Sequence, residues 1–363
     1  MAQTFSFIGL GLIGGSIAKA LKQAKTDCVI KAYDIDRSTL STAQRESVVD
    51  EIYSEICTDL LSCDFLFLCA PVSKNDINLI KIKELLPAST IITDVGSVKQ
   101  TTHKVIEEIG LGSHFIGGHP MAGSEKIGYE NANPLLLENA YYILTPTDSV
   151  PSAKVETLKQ IVTEIGAIPL ILSYEKHDYI TAAVSHVPHI IAASLVNLVK
   201  DSDDKDSLMK LIAAGGFKDI TRIASSSPVM WQSICMTNTD NIKNLLHAYI
   251  ESLLKIEQAL DQKKNDELYR LFDTAKEYRD GFVNGNHGPI KKVYAIHVDI
   301  PDVPGSIAQT ATLLALRNLS IQNIGIMHAR EFQEGALRIE FYDEPTMKDA
   351  IAVLKQHNYK IYD

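Results

Sequence analysis

Residues 4–22 read TFSFIGLGLIGGSIAKALK. The run Thr4 to Leu10 is apolar and aromatic and short enough to be a buried strand. Ile17, Ala18 and Leu21 then recur at helical spacing within Ser16 to Lys25. Between the two, Gly9, Gly11 and Gly14 form GxGxxG. The first glycine permits a tight turn, the second lets backbone approach a pyrophosphate, and the third lets helix and strand pack closely. Leu12 and Ile13, at the helix start, offer backbone N–H groups and a positive dipole end to phosphates. Asp34 follows Gly14 by twenty residues, at the end of a second apolar run, Cys28 to Tyr33. A carboxylate there accepts hydrogen bonds from a ribose 2′-hydroxyl and repels a 2′-phosphate, so the pattern predicts NAD as cofactor in preference to NADP. Arg37, close by, softens that preference.

Outward from this unit, Asp64 to Ala70 (DFLFLCA), Thr90 to Val95 (TIITDV) and Tyr141 to Thr145 (YYILT) are further short apolar runs among helical stretches. The alternation predicts an α/β fold, with a Rossmann-type doubly wound parallel sheet over residues 1–170. From about Leu172 strand signals vanish. Helical periodicity over Asp178–Lys200, Leu208–Ala214, Asp219–Ala224 and the long segment Asn238–Tyr278 predicts an all-α second domain, residues 171–288. Its apolar residues fall on several helix faces, as expected where helices pack on each other or on a second subunit. Gly281 to Pro289 (GFVNGNHGP) reads as a linker. Residues 293–363 then read βαββαβ, the ferredoxin-like arrangement.

The 363 residues are 45% hydrophobic and 22% charged, ordinary for a globular protein, and the formal net charge of −10 argues against a nucleic-acid surface. The five cysteines, Cys28, Cys57, Cys63, Cys69 and Cys235, are odd in number and contain no CxxC, which fits a reducing compartment. No signal peptide is evident, and the most apolar stretch, Val187 to Val199, is too short to span a membrane. The expectation is a cytoplasmic protein.

Four stretches carry clustered polar residues in loops or at helix ends. They are Asp94–Lys99 (DVGSVK), Gly117–Glu125 (GGHPMAGSE), Ser185–His189 (SHVPH) and Gly215–Arg222 (GGFKDITR), with Trp231 beyond. With the glycine fingerprint, these motifs make the chain resemble the prephenate and arogenate dehydrogenases from its N-terminus to about residue 290. The resemblance implies oxidation of a cyclohexadienyl substrate: hydride leaves ring C4 for the nicotinamide, a base takes the C4 hydroxyl proton, and the ring carboxylate departs as CO2. For prephenate the product is 4-hydroxyphenylpyruvate, on the route to tyrosine. His119 matches the catalytic histidine, whose near-neutral pKa suits a general base. Ser97 matches a serine that positions the hydroxyl and the histidine. Ser124 and Glu125 match a pair near the substrate side chain. His189 matches a substrate-binding histidine, with Pro188 expected to kink the helix before it, whereas His186 reads as a packed or solvent-facing histidine. Arg222 matches the arginine that pairs with a substrate carboxylate, for which a planar fork suits better than lysine. Trp231 falls near the cleft. His186 and His189 share a helix face, but no third ligand sits at suitable spacing, and no metal is expected.

The tail, with IPDVPGSIAQ at Ile300–Gln309, resembles the ACT domain, a regulatory amino-acid-binding module. That implies tyrosine, the pathway end product, as effector at a loop including Asp302, Pro304 and Gly305. A homodimer is expected. Prephenate and arogenate are not separated by these motifs. Two more distant readings stay open: a β-hydroxyacid or imine dehydrogenase on the same scaffold, and an NAD- and amino-acid-sensing regulator without turnover.

Overall fold

The computed structural model describes residues 2–123, 126–284, 294–301, 303–327 and 336–362. The chain divides into two compact units, Met1–Gln258 and Ala259–Asp363.

In the first unit, strands β1 (Thr4–Ile8), β2 (Val29–Tyr33), β3 (Glu51–Tyr53), β4 (Phe65–Leu68) and β5 (Ile91–Asp94) form a parallel sheet in the order β3-β2-β1-β4-β5. The reversal of strand order beside β1 is the switch point of an open α/β sheet, and GxGxxG follows β1 directly. Both faces are covered. On one, Phe5, Phe7 and Phe67 pack with Ile17 and Leu21 of the helix Leu12–Ala24, and the Phe7 and Phe67 rings stack 4.9 Å apart. On the other, Ile8, Leu66, Leu68 and Ile92 meet Leu79, Ile82 and Ile106. The doubly wound expectation holds, because strands this short and apolar need helices on both sides.

A second sheet comprises β6 (Ile116–Pro120), β7 (Tyr141–Pro146) and β8 (Ile168–Ile171), with β6 antiparallel and β8 parallel to β7. A parallel bridge between Ile92 and Phe115 links the two sheets. The expectation that the GGHP segment is a loop is therefore corrected: residues 116–120 are a strand. Its glycines are there for space. A Cβ on Gly117 would stand 2.3 Å from Thr145 Oγ1, and one on Gly118 2.5 Å from the Asp94 carbonyl oxygen. Turn composition and close packing write the same letters.

Helical structure runs without a break over Tyr174–Ser202, 29 residues whose most apolar window has a mean hydropathy of 1.5. This is longer than the thirteen residues from Val187 to Val199. By length and composition it matches a membrane span, yet His177, Asp178, Thr181 and His186 along it are buried against protein. The kink expected at Pro188 takes the form of a π-helical turn, Ala182–His186, since proline cannot donate the helical hydrogen bond. Beyond it lie helices Leu208–Ile212, Gly215–Thr221, Pro228–Thr237 and Thr239–Asp261. The single long segment expected from Asn238 to Tyr278 is two helices, because Lys263 takes positive φ before the helix Asn265–Asn284 begins.

In the second unit, β9 (Tyr294–Asp299), β10 (Asn323–Met327), β11 (Ala336–Phe341) and β12 (Ile361–Tyr362) form an antiparallel sheet in the order β10-β11-β9-β12. Leu314 and Ala350 of helices Ser306–Ala315 and Glu344–Gln356 cover Val298, Leu337, Ile339 and Phe341. This is the βαββαβ arrangement the periodicity predicts. Of the expected linker, Gly281 to Asn284 continue a helix, and residues 285–289 lie outside the described residues, as does Asp302.

Candidate active site

The nucleotide half of the site is built around β1. Gly9 has φ +97°, in the region that favours glycine, and a Cβ there would meet Ala70 N at 2.8 Å. Gly14 is fixed by packing: its Cβ would lie 2.6 Å from the Gly9 carbonyl oxygen and 2.9 Å from Cys69 Cβ. Around Gly11 a Cβ would find open space, and Gly11 ends the turn at the start of the helix Leu12–Ala24 without a side-chain cap. The first helical amides are thus left for an incoming anion. The Asp34 carboxylate is held at the C-terminal end of β2, accepting from Leu10 N at 2.7 Å and Asp36 N at 2.8 Å. Each oxygen keeps lone-pair capacity for a ribose hydroxyl. These residues fit a dinucleotide.

The chemical half begins at Asp94, at the end of β5. Its carboxylate is fully buried and accepts from Gly96 N at 3.0 Å, Gly118 N at 3.1 Å and the Lys99 ammonium. Lys99 is buried too and also donates to the Gly118 carbonyl at 2.6 Å. Burial pushes its ammonium down from the usual lysine range, with Asp94 pulling it back. The pair clamps both polar groups of Gly118, and so sets the strand that carries the next residue, His119.

His119 is half-buried on β6 opposite Ile143. Its Nδ1 lies 2.7 Å from His177 Nε2, and His177 Nδ1 lies 2.7 Å from Asp178 Oδ1. Asp178 also accepts Lys99 N at 2.8 Å and Gln100 N at 2.9 Å. His177 and Asp178 are adjacent in the helix Tyr174–Thr181 that Ser173 caps. Desolvation, reinforced by His177, Lys99 and His186, holds the His119 imidazole well below its ordinary pKa.

One step further along the same helix, buried His186 has its Nδ1 3.2 Å from Asn238 Nδ2, which donates to the Asp178 carbonyl at 2.8 Å. His186 is thus a packed histidine, its pKa depressed to about 4 by burial. The Trp231 indole meets the His186 ring edge-on at 6.0 Å and stacks on His189 at 3.7 Å. His189 Nδ1 donates to the Ser185 carbonyl at 2.9 Å. That bond leaves Nε2 as the free atom of the ring. Its pKa is lowered, chiefly by burial and also by Arg222. Arg222 opens the turn Arg222–Ser225, packed on the helix Val187–Ser202.

The structure therefore gathers His119, His189, Arg222 and Trp231 into one region. Ser97 lies half-buried on the loop after β5, and among the described residues its hydroxyl makes no hydrogen bond to His119. Ser124 and Glu125 lie outside the described residues. Four members of the cluster went unread in the sequence: Asp94, Lys99, His177 and Asp178. The first two stand inside the DVGSVK motif. The last two, in YEKHDY, carry no spacing signal because their partner is 58 residues away.

Comparisons with known proteins match most of the chain. The family model "Prephenate dehydrogenase, nucleotide-binding domain" matches residues 17–170, and "Prephenate dehydrogenase, dimerization domain" matches residues 173–274. A prephenate dehydrogenase of Bacillus subtilis is 39% identical over 355 residues, 96% of this chain and 95% of that protein. Among solved structures, prephenate dehydrogenase from Aquifex aeolicus in complex with hydroxyphenyl propionate and NAD+ superposes with a TM-score of 0.73 at 32% identity. It covers 78% of this chain and 99% of that one. Synechocystis arogenate dehydrogenase gives a TM-score of 0.70 at 28% identity, with 77% and 100% covered.

Proposed function

The chain belongs to the prephenate dehydrogenase family, and from that premise we propose that His119, His189 and Arg222 carry its chemistry. The chain catalyses the NAD-dependent oxidative decarboxylation of prephenate to 4-hydroxyphenylpyruvate. NAD, when bound, accepts the hydride from ring C4. Gly9, Gly11 and Gly14 and the amides of Leu12 and Ile13 hold its pyrophosphate, and Asp34 its adenosine ribose. His119 accepts the C4 hydroxyl proton. Ser97 orients that hydroxyl, and Arg222 pairs with a substrate carboxylate. His189 and Trp231 line the substrate side, and Ser124 and Glu125 are assigned there by family resemblance alone. As the hydride and proton leave, the bond to the ring carboxylate breaks and its electron pair enters the ring. Aromatisation makes the step irreversible.

One observation supports this assignment above the others. A histidine with a neutral, desolvated ring stands one residue from a backbone clamped by the buried Asp94–Lys99 pair. A base must be unprotonated and correctly placed before it is useful.

The chain also contains the family's dimerization domain. We further propose a division into residues 1–170, 171–288 and 293–363, a cytoplasmic homodimer, and an ACT-type tail that binds tyrosine. The helix Ser306–Ala315 beginning at Gly305, with φ +95°, supports an amino-acid site at that turn. The discriminating experiment is NADH formation from prephenate and from arogenate, each with and without tyrosine. Turnover of arogenate alone would overturn the substrate assignment. Equal tyrosine inhibition of the full chain and of a chain ending at residue 290 would remove the tail as receptor.

A further inference from the structure

Asp178 presents a carboxylate with both oxygens occupied by donors: the amides of Lys99 and Gln100, and His177. A carboxylate only accepts, so the hydrogen between Asp178 and His177 belongs to His177 Nδ1. With His177 neutral, that one N–H leaves His177 Nε2 a lone pair. The 2.7 Å contact to His119 Nδ1 then requires the hydrogen on His119 Nδ1. In that state the bare nitrogen of His119 is Nε2. Two fully buried residues, His177 and Asp178, thus bear on which nitrogen of the base is basic.

We propose that His177 and Asp178 are positioning residues that act through His119 as a proton relay. The proposal rests on the assignment of His119 as the base. The substrate hydroxyl proton moves to His119 Nε2, and the His119 Nδ1 proton moves to His177 Nε2. The positive charge then rests on His177, directly beside the Asp178 carboxylate. After product leaves, the transfers reverse and His119 Nε2–H releases its proton to water in the cleft. No further oxidant, reductant or base is needed.

The surroundings explain why a relay is useful. Several titratable or charged groups face this pair. Lys99 and Asp94 come from β5 and its loop, and His103 from the helix Gln100–Glu108. His186 comes from the π-helical turn, with His189 and Arg222 beyond it. Lys99 and His186 both disfavour a charge on His119, and burial does so more strongly. Among the described residues no carboxylate contacts the His119 ring, whereas a cation shifted to His177 has Asp178 at 2.7 Å. Ion pairing of this kind favours the charged form.

His177→Gln is the informative substitution. A glutamine oxygen can still accept from His119 Nδ1, so orientation survives, but it cannot take the proton. In the full chain, kcat for prephenate should fall by about 10²-fold, the lower end of an acid–base contribution. KM for prephenate and Kd for NAD should hold within about threefold. The acidic limb of the kcat–pH profile should move down by about one unit, because the conjugate acid of His119 loses its shared carboxylate. A purely structural role changes activity without moving that limb, and an unmoved limb overturns the relay. Asp178→Asn should move it in the same direction if the variant folds. Nitrogen-15 NMR of histidine-labelled wild-type protein needs no relay variant. His119 Nδ1 should be protonated and Nε2 bare at neutral pH, with the signals assigned by their loss in His119→Asn. The opposite tautomer refutes the relay. If His119→Asn is inactive while His177→Gln matches wild type in kcat and limb, the relay falls and the base assignment stands. If His119→Asn stays active, both fall.

Discussion

Lys99→Met removes an ammonium from a fully buried pair and leaves the Asp94 charge behind. Methionine fills similar volume, so the loss is electrostatic more than steric. Asp94 would keep two hydrogen bonds, from Gly96 N and Gly118 N, and lose its only counter-charge among the described residues. Breaking a buried pair by removing one partner costs about 3–5 kcal/mol, because the other charge stays desolvated. Against a typical domain stability of about 5–15 kcal/mol, that is a large fraction. The Gly118 carbonyl loses its Lys99 partner as well, so the strand bearing His119 should loosen. The assay is urea unfolding of the first unit followed by tryptophan fluorescence, since Trp231 is the sole tryptophan. A double-mutant cycle supplies the control. Asp94→Asn keeps an acceptor for Gly118 N while removing the charge. The double variant should therefore lose less than the sum of the singles by about 1–3 kcal/mol. Additive losses, or a loss below about 1 kcal/mol for Lys99→Met, would refute the claim that this charge pair holds the site together.

Three more outcomes follow from the same geometry. Buried His103, bonded to Thr145 Oγ1 at 2.9 Å, has a pKa near 4 against an ordinary 6.5. The unfolded chain therefore binds its proton more tightly, and the contribution is full above about pH 6.5 and lost as pH falls toward 4, amounting to about 3 kcal/mol. The thermal midpoint of His103→Gln should depend less steeply on pH than wild type over that window, and parallel curves would count against it. Asp34→Asn keeps an acceptor for Leu10 N but removes the repulsion of a 2′-phosphate. The ratio of kcat/KM for NAD over NADP should drop by about tenfold or more, an effect of about 1.4 kcal/mol; an unchanged ratio removes Asp34 from the cofactor assignment. Arg222→Gln should raise KM for prephenate by about tenfold or more while kcat changes less, since a charge-assisted pair contributes about 1.5–3 kcal/mol. An unaltered KM would sink its carboxylate role.

The strands that were legible, such as TFSFI and FLFL, are mostly apolar because helices cover both faces, and that burial is itself a sequence pattern. β3 (EIY) and β6 (IGGHP) carry no such pattern. β6, Ile116–Pro120, looks like a turn because Gly117 and Gly118 are dictated by Thr145 and Asp94, neighbours the chain meets only after folding. The long helical stretch was legible as periodicity, but its break at Lys263 was not, because helical residues surround it.

What the sequence by itself determined is the dinucleotide fingerprint with Asp34, the α/β and βαββαβ patterns, and the short motifs in which His119, His189 and Arg222 stand. These are local facts, carried by glycine spacing, hydrophobic period and short motifs. Only the tertiary structure decided how His119 is held and which side chains reach its ring. The Asp94–Lys99 clamp and the His177–Asp178 pair reach it from β5 and from a helix 58 residues later. Their effect comes from burial, which strengthens each charge and hydrogen bond and is a property of the assembled interior. No stretch of chain carries that property alone.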